Sequence, residues 1–316
     1  MNYNSSNSCE EVTFVEHGHV TKWIVLSIGG VFVVFTIIFN LIVIVKINRK
    51  CKLKSFTKYF LTSLASVDLC VGVTLMPFNI INELYGLRKT AGLLFCDFVN
   101  SLDYTLCTAS VIFLTTLTFD RYIALCKPFK YHKFCNKKTI VIITVSSWMS
   151  VLTISFVTIP TGLVYYGVPE DVIYCITKEG KSCTFLMSKY FAIISSTISL
   201  LMPGIIITCL NVKLSRNVRR QNNIRVQLTF HRSTRAFINR RNVSQGIHVA
   251  KTIAVLTGAF ICCWMPFFIV LNVSVFSEYR LSYGIYVIAN WLGYLNSTIN
   301  PLLYLLLEGR SCIGRH

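Results

Sequence analysis

Acidic residues are scarce in this chain of 316 residues: 13 Asp and Glu stand against 31 Lys and Arg, and all charged types together make up only 14%. So little charge beside 53% hydrophobic residues, gathered in long blocks, argues against a soluble protein. The short alternating pattern of a membrane barrel is missing too, which leaves helices as the spanning elements. The first 22 residues have no apolar core with a basic flank, so no cleaved signal peptide is expected and the first apolar block must direct insertion itself. Linkers, low-complexity runs and internal repeats are lacking, which speaks against a second domain. With no inverted repeat and no filter-like segment, a transporter or channel is disfavoured as well.

What is present is seven apolar blocks, at about 23–47, 58–82, 95–125, 139–163, 188–212, 249–276 and 283–307, each long enough to cross a bilayer as a helix. The expected fold is all-α, a membrane bundle of seven transmembrane helices. An outer tail covers 1–22, the bundle 23–307 and a short cytoplasmic tail 308–316. Orientation follows from the bases: 24 of the 31 Lys and Arg fall in the segments 46–58, 121–138, 213–251 and 310–315. These face the cytoplasm by the positive-inside rule, which puts the amino terminus outside. The net charge of +18 therefore reports topology and a lipid bilayer as partner, with no nucleic acid implied. The basic 213–248 segment reads as a cytoplasmic loop with helical extensions.

Of the 13 cysteines, nine fall within spans or on the cytoplasmic side, while Cys9, Cys96, Cys175 and Cys183 face outside. Four cysteines allow three pairings. Asn4-Ser5-Ser6 is a glycosylation acceptor in the outer tail, and Cys312 is a candidate for palmitoylation.

Two acids stand inside spans, Asp68 and Asp103, and such a residue is by default a functional hypothesis. Asp103 heads the run SLDYTLCTASVIFLTTLTFDRYIAL (101–125), and the Asp120-Arg121 pair ends it roughly 25 Å further along the helix. The two lie near opposite faces of the membrane. Asp103 is expected to wait for an ammonium group, with a structural acid bonded to a neighbouring hydroxyl as the other reading. Cys107, four residues on, shares its face.

Asn40 in the first span, LASVDL with Asp68 in the second, DRY at 120–122 in the third and Trp148 in the fourth form an ordered set. Pro203 in the fifth, CWMP at 263–266 in the sixth and NPLLY at 300–304 in the seventh complete it. In this order and at these depths the chain resembles the class A G-protein-coupled receptors. Asp103, Trp291, Tyr294 and the Trp264, Phe267, Phe268 cluster are similar to the biogenic-amine receptors, and NSTINPLLY with an outer-tail cysteine to the trace amine-associated receptors.

The resemblance implies a small amine as ligand, a heterotrimeric G protein as partner, the plasma membrane as location, and no catalysis. The ligand-binding residues it implies are Asp103, Tyr104, Cys107, Ser195, Ser196, Ser199, Trp264, Phe267, Phe268, Trp291 and Tyr294. The activation switch would comprise Asp120, Arg121, Tyr122, Asn300, Pro301 and Tyr304, with Arg121 pairing to Asp120 at rest. Asp68, with Asn40, Asn296, Ser297 and Asn300, is similar to the family's sodium pocket, so the only cofactor expected is an allosteric sodium ion; a hydrogen-bonded acid without metal is the other reading. Cys96 is expected to pair with Cys183, tethering the third span to the loop that leads into the fifth, which leaves Cys9 for Cys175.

Several departures qualify the likeness. The stretch SQGIHVAKT at the base of the sixth span has no acid to lock Arg121, and Asn211 stands where a tyrosine is usual, so a looser resting restraint is expected. The tail LLLEGRSCIGRH lacks the aromatic residues usual for trace amine receptors. The fifth span offers no carboxylate for a second cation, although Glu83 keeps diamines open. No lysine occurs in 283–307 to hold retinal, and no histidine joins Asp103 to form a catalytic set. A basic peptide is the rival ligand, given the acids of the outer segments.

Overall fold

The computed structural model describes residues 19–50, 55–174, 183, 187–228, 234–277, 281 and 283–307. Asn4, the Cys9–Cys175 pair, Glu308 and Cys312 lie outside the described residues.

Each of the seven apolar blocks is helical. The first span is His19–Lys50, the third Leu93–Cys126, the fourth Lys137–Thr158, the sixth Thr234–Phe276 and the seventh Tyr283–Leu307. The sixth begins far before residue 249, and the fifth runs on to Leu228, so much of the basic 213–248 segment is helical extension. Among the described residues, six helices are long and apolar enough to cross a membrane by composition. The seventh has the length, 25 residues, but its apolar character is diluted by polar residues that face inward. Asn296, Ser297, Thr298 and Asn300 are all buried. The bundle is thus polar in its middle and apolar outside: Thr36, Asn40 and Asp68 are fully buried while Trp23, Ile28 and Val31 face outward.

The second and fifth spans are not uniform α-helices. Ser55–Cys70 passes through a π-helical turn, Val71–Leu75, into Met76–Tyr85. Lys189–Ser196 does the same through Thr197–Leu201 into Met202–Leu228. Both turns come just before a proline, Pro77 and Pro203. Proline has no N–H to give and its ring crowds the carbonyl four residues back, so the preceding turn widens to a longer hydrogen-bond ring. Pro266 and Pro301 lie inside helices without such a turn.

Local signals set the ends. The Asn136 side chain accepts from the Thr139 N–H at 2.9 Å and caps the fourth span, as Ser188 caps the fifth. Gly86, at φ 66°, closes the second in the left-handed conformation that glycine adopts freely. Helix–helix packing links the sixth to the seventh and fifth, the third to the second, fourth and fifth, and the first to the second and seventh. The first and second spans approach closely at Gly72, where an added Cβ would stand 2.9 Å from Thr36 Cγ2.

The second outer loop is tied down at two points. Cys183 is disulfide-bonded to Cys96 at the head of the third span, and its N–H donates to Asn82 Oδ1 of the second at 2.9 Å. Proteolytic mapping without reduction should therefore recover a joined Cys96–Cys183 peptide; recovery of Cys96 joined to Cys175 would overturn this pairing.

Candidate functional site

Asp103 lies two turns below the Cys96 tether, on the inner side of the third span. Its Oδ2 accepts from the Tyr294 hydroxyl of the seventh span at 2.6 Å, and its Oδ1 from the Cys107 thiol at 3.2 Å. The Tyr294 oxygen in turn accepts from Asn79 Nδ2 of the second span at 3.0 Å. One carboxylate therefore joins three spans through a chain of hydrogen bonds, each group orienting the next.

Beside Asp103 is a cavity of about 60 Å3. The third span contributes Asp103, Tyr104, Cys107, Thr108 and Val111 to its wall, the fifth Ser195 and Ser199, the sixth Trp264, Phe267 and Phe268, and the seventh Asn290; Met187 covers it. The aromatic wall is mutually braced. Trp264 meets Phe267 edge-on at 5.9 Å between ring centroids, and Phe267 meets Phe268 at 5.4 Å. Trp264 rests against Gly293 of the seventh span, where a Cβ would come within 3.0 Å of the indole. That glycine is what lets the ring sit flush against its neighbour.

Eight of the eleven expected binding residues line this cavity. Tyr294 is behind it, reaching it through Asp103, and Trp291 packs edge-on against Tyr294 at 5.9 Å, towards Gly29 of the first span. Ser196 is turned away from it: its hydroxyl accepts from Asn272 Nδ2 at 2.7 Å and donates to the Ala192 carbonyl at 2.6 Å. It serves as a cross-link between the fifth and sixth spans. Ser195 also bonds back to the Ala192 carbonyl, at 3.1 Å.

Sequence reading missed Thr108, Val111, Met187, Asn290, Asn79 and Asn272. Four of these carried a signal: Thr108 is four residues after Tyr104, Val111 four after Cys107, Asn290 four before Tyr294 and Asn272 four after Phe268, so each shares a face with a residue already singled out. Met187 and Asn79 are reached through the packing of separate segments.

Deeper in the bundle, Asp68 is fully buried and accepts from Ser110 Oγ at 3.1 Å, Ser297 Oγ at 2.8 Å and Asn300 Nδ2 at 3.2 Å. Ser110 was not anticipated. Asn40 donates instead to the Thr36 and Ser297 carbonyls, at 2.9 and 3.1 Å. The amide oxygens of Asn40, Asn296 and Asn300 are buried with no hydrogen-bond partner among the described residues.

At the cytoplasmic end Asp120 is fully buried and takes hydroxyl donors on both oxygens, Thr57 of the second span and, at 2.8 Å, Tyr131 of the short helix Pro128–Phe134. Burial, reinforced by the Asp120 carboxylate, pushes the Tyr131 hydroxyl well above the ordinary tyrosine range, so it stays protonated and able to donate. Arg121 and Tyr122 are half-buried beside it. Pro301 is buried in the seventh span, and Tyr304 packs with Val43, Ile47, Leu61 and Leu117. Asn211, where a looser restraint was expected, donates through Nδ2 to Thr257 Oγ1 at 2.7 Å and so binds the fifth span to the sixth.

The family model for the 7 transmembrane receptor (rhodopsin family) matches residues 39–304, and the chain belongs to that family of class A G-protein-coupled receptors. It is a multi-pass membrane protein, a receptor rather than an enzyme. Its relatives are biogenic-amine receptors. The octopamine receptor beta-2R of Drosophila melanogaster is 31% identical over 302 residues, which cover 84% of this chain and 55% of that one. The alpha-1A adrenergic receptor of Oryzias latipes is 29% identical, covering 96% of this chain and 67% of its own length. The trace amine-associated receptor 1 of Macaca mulatta is 27% identical, covering 88% and 82%. The chain thus spans little more than half of the Drosophila receptor.

Removing the Tyr294 hydroxyl leaves one Asp103 oxygen without its donor. Tyr294→Phe should lower the stability of the ligand-free receptor by about 1.5–3 kcal/mol, the range for a hydrogen bond to a charged group. A thermal-shift measurement in detergent checks this, and an unchanged midpoint would show that the bond contributes nothing net.

Proposed function

We propose that the chain is a plasma-membrane receptor for a small amine, signalling through a heterotrimeric G protein. The observation that carries this reading is Asp103, a carboxylate on the wall of an aromatic cavity, held by two neutral donors and, among the described residues, by no basic side chain. An ammonium ion entering there gains a charge-assisted hydrogen bond in a water-poor site and a favourable position over aromatic faces. A neutral analogue gains neither. The aromatic wall of Trp264, Phe267 and Phe268 close to the carboxylate suits a compact aromatic or aliphatic amine better than a basic peptide. Octopamine, adrenergic, serotonin and trace-amine receptors all match at 27–31% identity, so the likeness supports the shared amine chemistry more than any one subgroup. The trace-amine reading rests on NSTINPLLY and on Cys9.

Ligand contact reaches the cytoplasm through the sixth span in this account. Pro266, set between Trp264 and Phe267, has no N–H to give the Cys262 carbonyl one turn back, so pressure on those rings acts at a weakened turn. For the lower half of the sixth span to swing outward it must leave the Asn211–Thr257 contact. Arg121 then comes within reach of a G protein, while the Asp120 charge is held by hydrogen bonds from Thr57 and Tyr131.

The Asp68 cluster suits an allosteric sodium ion: one carboxylate, two hydroxyls and nearby amide oxygens that lack donors are the hard oxygen ligands such a cation takes. Asp68, Ser110 and Ser297 would hold it, and its charge would offset that of the buried carboxylate.

Screening amines on cells that report cyclic AMP and calcium identifies an agonist. Asp103→Asn keeps size and hydrogen bonding but removes charge, and should weaken that agonist by about 2–5 kcal/mol, roughly 30-fold or more in potency. Surface expression should hardly change. Unchanged potency in a surface-expressed Asp103→Asn receptor would return Asp103 to a structural role.

A further inference from the structure

A second cavity, of about 440 Å3, lies on the outer face of the bundle between the fifth and sixth spans, far from Asp103. One wall is a stripe of the fifth span in which Asn211, Ser215 and Arg219 recur at four-residue spacing, with Arg216 beside them. The other is Ala254, Thr257, Gly258 and Ile261 of the sixth. Arg216, Arg219, Ala254 and Gly258 are exposed, so the groove opens sideways to the bilayer. The apolar block of the fifth span ends near residue 212 and that of the sixth begins near 249, which sets both arginines at the cytoplasmic boundary of the membrane.

Two features say what fits. Two guanidinium groups at headgroup depth, on the face where the chain is most basic, complement a phosphate and a net negative charge. Gly258 leaves the opposite wall open, since a Cβ there would meet nothing within 4 Å. We propose that this groove seats the headgroup of an acidic phospholipid from the cytoplasmic leaflet, such as phosphatidylserine. Phosphatidylcholine offers the phosphate without the net negative charge. The seat adjoins the Asn211–Thr257 contact, so its occupant lies against the join between the fifth and sixth spans.

The test uses the full-length receptor in phosphatidylcholine vesicles containing a minor fraction of photoreactive phosphatidylserine, followed by peptide mapping of the lipid adducts. Adducts are expected on the segments 208–219 and 254–261, with far less labelling there by a photoreactive phosphatidylcholine. Gly258→Leu adds bulk to open space and replaces a poor helix former, so it should fill the groove without disturbing the fold. It should cut the groove adduct about fivefold or more, as should the double variant Arg216→Gln/Arg219→Gln. Equal labelling by the two lipids would mean ordinary annular lipid only and would overturn the proposal. So would a groove adduct undiminished in both variants, and the comparison of lipids on the parent receptor decides the matter even if one variant fails to fold.

Discussion

A carboxylate held among apolar helices costs several kcal/mol unless hydrogen bonds or an opposite charge compensate it. Asp103 meets that constraint at rest with neutral donors, the Tyr294 hydroxyl and the Cys107 thiol. Much of the outer half of the bundle is arranged around this. Tyr294 must be held at the right depth, which Asn79 and Trp291 do; the seventh span must lie close to the sixth, which Gly293 allows at Trp264. Neutral donors stabilise the acid without cancelling its charge, so a cation entering the site would still be attracted to it.

The same device recurs down the bundle. Asp68 is held by two hydroxyls and an amide, and Asp120 by a threonine and a tyrosine hydroxyl. Tyr294, Ser297 and Asn300 lie on one helix; the first contacts Asp103 and the other two contact Asp68. A shift of the seventh span therefore changes the surroundings of two carboxylates together. Such shared elements, with more than one stable arrangement, are what couple a ligand site to a distant face.

Much of this was legible in the sequence because it is local or compositional. Seven apolar blocks, the asymmetry of bases and the acids within spans need only residue type and position, and all seven blocks are helices. Eight of the proposed binding residues meet at one cavity because Asp103 with Cys107, and Trp264 with Phe267 and Phe268, are neighbours on single helices. What escaped depends on pairs from different spans. Asn272 with Ser196, 76 residues apart, and Asn211 with Thr257, 46 apart, leave no periodic trace. Ser196 was therefore assigned to the ligand when it joins two helices, and Asn211 was read as a loosened restraint when it makes another. The π-helical turns escaped for a different reason: a proline reports that the ladder is interrupted but not whether the helix kinks or widens.

We propose the Asp103 carboxylate as the counter-ion of the ligand's ammonium group, and a structure of the receptor with its most potent amine bound is the decisive measurement. The amine nitrogen is expected about 2.7–2.9 Å from an Asp103 oxygen, the spacing of a charge-assisted pair, with its organic body against Trp264, Phe267 and Phe268. An amine seated elsewhere, for instance beside Glu83 with the Asp103–Tyr294 bond intact, would contradict it.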